Sequence, residues 1–182
     1  MYEITFSPER ALESLLFLAK RLNQPTIHEV LKLRYFADKV HLSKFGFVAS
    51  GDSYVAMKFG PVASETYNLI KAARGDRNKW IHPRFVELVQ GNLVVESGKY
   101  ITPLREANET LLSKADIECM NEALSRYGNM PFDERTELSH DAAWRLAWNQ
   151  AENDDLAAGD MPVLEIAKTL PNSADVLEYI CH

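Results

Sequence analysis

A chain of 182 residues, 46% of them hydrophobic and 25% charged, has the size and composition of one ordinary globular domain with its own core, and no apolar run reaches the ~18 residues that a membrane span needs. The net charge of −6 is unevenly spread: residues 1–105 hold 15 Lys/Arg against 10 Asp/Glu, whereas residues 106–182 hold 5 against 16. The acidic C-terminal part repels nucleic acid and favours a basic partner, with a merely solvated face as the simpler alternative.

The opening residues carry an acid, Glu3, where a secretory signal would carry basic ones, so the expectation is a cytoplasmic protein. Ser7-Pro8-Glu9 supplies an N-cap, a first-turn proline and a first-turn acid for a helix through Leu12, Leu15, Leu16, Ala19 and Leu22 that ends near Asn23. Thr26 and Glu29 form a capping-box pattern opening a second helix that runs to Phe45 and stops at Gly46. Projected at about 100° per residue, Ile27, Val30, Leu31, Ala37, Leu42 and Phe45 share one arc, with Tyr35 at its edge and Glu29, Lys32, Lys39 and Ser43 opposite. Arg34, Asp38 and His41 fall inside the apolar arc at helical spacing. They read first as a self-satisfied polar cluster, then as the floor of a partner cleft, and last as part of a metal or catalytic site.

Gly51-Asp52 marks a turn, Tyr54 to Phe59 alternates like a short strand, and Gly60-Pro61 breaks it before Ser64 caps a helix through Leu69, Ile70 and Ala73 to Gly75. The alternation separates Tyr54, Ala56 and Lys58 from Val55, Met57 and Phe59. The second set is assigned to the core, which leaves Tyr54 and Lys58 facing outward. Arg74 to Lys79 is a polar, basic loop. Phe85–Gln90, Leu93–Glu96 and Tyr100–Pro103 are β-favouring runs separated by Gly91-Asn92 and Ser97-Gly98, predicting a small hairpin or three-stranded element. Ser113 caps a helix carrying Ile117, Met120, Leu124 and Tyr127, which stops at Gly128. Pro131–Leu138 is a short helix, and Ser139 caps another with Trp144, Ala147 and Trp148, read as core anchors. Residues 151–160 form an acidic loop insertion, and Val163–Leu170 and Ala174–Ile180 are short packing helices.

The fold class is therefore mainly α (α+β), a compact helical domain spanning 1–182 with a small β element. Cys119 and Cys181 lie far apart with no second pair for a metal, so both read as free thiols. No phosphate loop, dinucleotide fingerprint, Cys-x-x-Cys, His-Glu-x-x-His or nucleophile elbow occurs, and no basic strip interleaved with aromatics supports nucleic-acid binding. The expectation is a protein without cofactor, nucleic-acid or membrane partner. The enzymatic alternative is a small metal-dependent site in which Asp38, His41 and His140 converge; His140 reads more simply as a helix-start residue.

Three ordered segments carry a resemblance: residues 31–38 with His41-Leu42 and Phe45-Gly46; residues 51–62 with Ser64 and Tyr67; and a third from Leu112-Ser113 through Tyr127-Gly128 to Leu138-Ser139-His140 and Trp144. Together they resemble the Panacea domain, the SocA-like antitoxin domain of bacterial and phage toxin–antitoxin systems, with Gly60, Pro61, His140 and Trp144 as its motif positions. Arg34 stands where that family more often has an apolar residue and Ala143 where a proline commonly precedes the tryptophan. The resemblance implies a helical domain that neutralises a cognate toxin encoded nearby, either by direct sequestration or by delivery to a ClpXP-type protease, and implies no enzymatic activity. Tyr54, Lys58, Phe59 and Tyr67 are the candidate partner-binding residues, with the acidic C-terminal part steering a basic partner.

Overall fold

The structure is a computed structural model that describes residues 5–181; the leader reading rests partly on Glu3, which lies outside the described residues. Element order is α1 (Pro8–Lys20), α2 (Ile27–Phe45), β1 (Tyr54–Met57), β2 (Gly60–Ala63), α3 (Ser64–Arg74), α4 (Pro83–Val89), β3 (Leu93–Glu96), β4 (Tyr100–Pro103), α5 (Lys114–Tyr127), α6 (Phe132–Ser139), α7 (Ala142–Asn153), β5 (Gly159–Met161), α8 (Val163–Ala167) and α9 (Ser173–Cys181). The strands form an antiparallel sheet ordered β2-β1-β5 and a separate β3–β4 hairpin. This is the mainly helical α+β class that the sequence predicts. No helix among the described residues is long and apolar enough to cross a membrane. Cys119 is a buried free thiol and Cys181 an exposed one.

Helix α2 is the axis of the molecule, packed by α1, α5, α6, α8, α9 and β2. Its ends are set locally: the Thr26 hydroxyl accepts from the Glu29 amide, and Gly46 closes the helix in the left-handed conformation. The Glu29 side chain turns to Arg135 rather than completing a reciprocal box. Every residue from Val30 to Asp38 is buried, Lys32 included. The solvent side assigned to Lys32 by projection is therefore wrong, because a helix enclosed on several sides has no continuous wet stripe.

Five other expectations are corrected. Gly60-Pro61 does not end the strand region but starts β2, which pairs with β1 from Tyr54↔Ala63 to Met57↔Gly60. Pro61 is tolerated because β2 lies at the sheet edge. Ser64 does not cap α3; the Asp52 carboxylate accepts from the Glu65 and Thr66 amides and the Thr66 hydroxyl. Phe85–Gln90 is not a strand, since His82 caps and Pro83 opens the helix α4. Asp141, not Ser139, caps α7, and the acidic stretch 151–160 ends in β5, which pairs with β1.

Candidate functional site

The sequence-derived candidates separate into two groups around α2. Its Arg34 face holds the polar cluster. Arg34 Nη2 donates to Asp38 Oδ1 at 2.9 Å and to the Ser50 hydroxyl at 3.0 Å. The Ala49 amide also donates to Asp38 Oδ1, and the Tyr54 hydroxyl donates to Oδ2 at 2.7 Å. Burial alone would lower the guanidinium pKa, but Asp38, followed by Tyr54 and Asp52, raises it. Tyr54 is 2% exposed, so it faces the core and not a partner. The alternation of β1 runs opposite to expectation, with Tyr54 and Ala56 buried and Val55 and Met57 half-buried. Both sets are compatible with a core; the carboxylate waiting on α2 decides between them.

His41 does not join Asp38. Its Nδ1 lies 2.8 Å from the Phe47 carbonyl, and its Nε2 lies 3.4 Å from Asp116 Oδ1. Burial would raise the Asp116 pKa, but His41, Arg10 and the Ser113 amide hold it well below the usual carboxylate range. His140 instead stacks on Trp144, with ring centroids 3.5 Å apart. Asp38, His41 and His140 thus occupy three separate environments, and among the described residues no group of three or more His, Cys, Asp or Glu is arranged to hold a metal.

The other side of α2 borders a cleft of about 650 Å³ between the start of α2, the β1–β2 turn and α6. Lys58, Phe59 and Tyr67 line it, whereas Tyr54 does not. Phe59 is 55% exposed on the turn, and its ring meets Phe132 of α6 edge-on with centroids 6.2 Å apart. The Lys58 ammonium sits 5.7 Å from the Phe59 ring centre, and the Lys71 ammonium 4.5 Å from that of Tyr67. Ile27, Leu31, Met57 and Val62 complete an apolar wall.

Of the family-motif positions, Gly60 lines the cleft, and Pro61, His140 and Trp144 do not. Gly60 has φ +101°, and a Cβ there would lie 2.7 Å from Lys32 Cε and also strike the Ser139 hydroxyl. The Pro61 carbonyl accepts from Lys32 Nζ at 2.8 Å. Trp144 Nε1 donates to the Met57 carbonyl at 2.9 Å, tying the end of β1 to α7. Burial lowers the pKa of His140, which packs on that tryptophan.

Lys32, 1% exposed, is the residue that sequence reasoning missed. Its signal was available: apolar residues nearly all round α2 imply a helix buried all round, and so a buried lysine. Burial and then Arg135 push its amine down to about 7. Neighbouring His28 is pushed down to about 4, by burial first and then by Lys32 and Arg135. Its ring packs on Phe132 at 4.2 Å, and its Nε2 lies 3.2 Å from the Thr136 hydroxyl.

The family description "Antitoxin SocA-like, Panacea domain" matches residues 30–145, from the first turn of α2 into α7. The chain belongs to the SocA-like antitoxin family. Its Panacea domain therefore contains both α2 faces, the β1–β2 hairpin and all four motif positions. Membership carries a toxin–antitoxin role in general and a toxin as the class of partner. No curated protein and no solved structure gives a significant match to the chain.

Proposed function

We propose that this protein is an antitoxin that binds a cognate protein toxin encoded beside it, and that the toxin docks on the cleft bordered by Lys58, Phe59 and Tyr67. The observation that carries this reading is the membership of residues 30–145 in the SocA-like family. The cleft supports the location. It is concave and largely apolar, and it presents two half-exposed aromatic rings, Phe59 and Phe132, of the kind that anchor protein interfaces.

Masking of the toxin's active surface and delivery to a ClpXP-type protease both begin with this docking step. Growth rescue that survives deletion of the protease indicates masking; rescue that requires the protease indicates delivery. The acidic side chains of the C-terminal part, none of which lines the cleft among the described residues, steer a basic region of the toxin, and association that slows as salt is added checks that contribution. The reading as a whole is tested by co-expressing the product of the neighbouring reading frame. Rescued growth with a co-purifying complex is expected, and the absence of both would overturn it.

A further inference from the structure

The cleft has a sign as well as a shape. Lys32, Lys58, Lys99 and His28 line it, and among the described residues no Asp or Glu does. Behind its floor stands Arg135, whose one carboxylate partner among the described residues, Glu29, lies 3.0 Å away. His140 is close enough for Lys32 to lower its pKa. Lys32 itself has three donor hydrogens and one acceptor, the Pro61 carbonyl, and among the described residues no carboxylate pairs with it. A buried ammonium facing other cations is unfavourable in the free protein, and an arriving anion relieves that penalty. The walls select what accompanies the anion, because Phe59, Phe132, Leu31, Met57 and Val62 offer apolar surface and no hydrogen-bonding side chain.

Resting on the antitoxin reading, the geometry points to a specific occupant: a segment of the toxin in which a bulky apolar side chain stands beside a carboxylate, the side chain lying against Phe59 and Phe132 and the carboxylate pairing with Lys32. Charge complementarity carries the choice. A basic segment would set its charge against Lys32, Lys58 and Lys99, and a purely apolar one would bury Lys32 still without a counter-ion. Docking of the carboxylate favours the charged amine, so binding is accompanied by proton uptake where Lys32 is neutral in the free protein. His28, Arg135 and His140 are the other titratable or charged groups facing Lys32 across the floor.

The test is selection of displayed random short peptides on the full-length protein, followed by affinity measurement with synthetic versions of the winners. Enrichment of peptides that place an aromatic or aliphatic residue beside Asp, Glu or a free C-terminus is expected. Replacing that carboxylate by its amide should weaken binding at least about tenfold, and Lys32→Met should cause a similar loss. The two losses should not add when combined, because they remove the same contact. Phe59→Ala, on the exposed turn, should weaken every selected peptide. No enrichment, enrichment of basic peptides, or indifference to the peptide carboxylate would overturn the proposal. The amide peptides need no protein variant, so the result stands even if Lys32→Met fails to fold. Co-expression rescue without peptide binding would leave the antitoxin reading standing and remove this occupant. Peptide binding without rescue would leave the acidic-segment site and remove the antitoxin reading.

Discussion

Arg34 and Lys32 are two basic residues two positions apart on one helix, each 1% exposed, and the protein treats them in opposite ways. Arg34 has a carboxylate at 2.9 Å, and the same Asp38 also holds Tyr54 and the Ala49 amide. Lys32 has one backbone carbonyl and cationic neighbours. The roughly 200° between them on an α-helix puts one against β1 and the Ser50 turn and the other against β2 and the cleft. Buried charge sorts accordingly: a neutralised group is a joint of the fold, and an uncompensated one on a cleft floor is a candidate for a ligand's counter-charge.

Removing the counter-ion on the Arg34 side should have the largest effect. Asp38→Ala strands Arg34 and removes the acceptor for Tyr54 and Ala49, at a cost of about 3–5 kcal/mol in urea unfolding. A loss under about 1 kcal/mol would mean that the cluster is not the joint described. Next is Gly60→Ala, which forces a side chain into a left-handed turn against Lys32 and Ser139. It should cost about 1–3 kcal/mol in the same assay and open the cleft floor.

Lys32→Met should move in the opposite direction to Arg34→Met. Replacing a buried amine that has no carboxylate partner among the described residues by an apolar side chain of similar length should raise stability by about 1 kcal/mol, whereas Arg34→Met leaves Asp38 uncompensated and lowers it. The pH dependence sharpens this contrast. Lys32 loses its proton near 7 in the folded chain and at its ordinary 10.5 when unfolded. Between those values the unfolded chain holds the extra proton, so this group makes stability rise with pH. The advantage of Lys32→Met over the wild type should therefore shrink as pH is raised from about 7 towards 10.5, as unfolding curves across that window would show. The smallest effect on stability belongs to Phe59→Ala, expected within about 0.5 kcal/mol because the ring is more than half exposed.

Legibility in the sequence followed the range of the interactions. Thr26, Gly46 and Ser113 bound their helices through contacts within a few residues, and the structure keeps all three boundaries. The hairpin of β3 and β4, turning at Ser97-Gly98, is likewise local. Asp52, which caps α3 from across the β1–β2 hairpin, could not be seen by scanning for a capping residue at the helix start. Phe85 to Val89 has β-favouring side chains but lies between a His-Pro helix start and the packing surface of α3, so tertiary context overrode propensity. At the site, Lys58, Phe59 and Tyr67 were named through the family resemblance, whereas the strand alternation put Phe59 in the core; it is 55% exposed because β1 ends at Met57 and Phe59 stands on the turn beyond it. Tyr54 was misjudged because its partner comes from another element, and Lys32 was missed because the projection kept to one arc and passed over the apolar residues on the opposite side of α2.

The most direct measurement of the central claim is growth rescue in cells expressing the neighbouring toxin, comparing the wild type with the doubly substituted Lys58→Ala, Phe59→Ala protein at matched abundance. Both residues lie on the exposed β1–β2 turn beside the cleft, and neither supports the Arg34–Asp38 joint. Rescue by the wild type and its loss in the folded double variant are expected. Undiminished rescue by that variant would contradict the central claim.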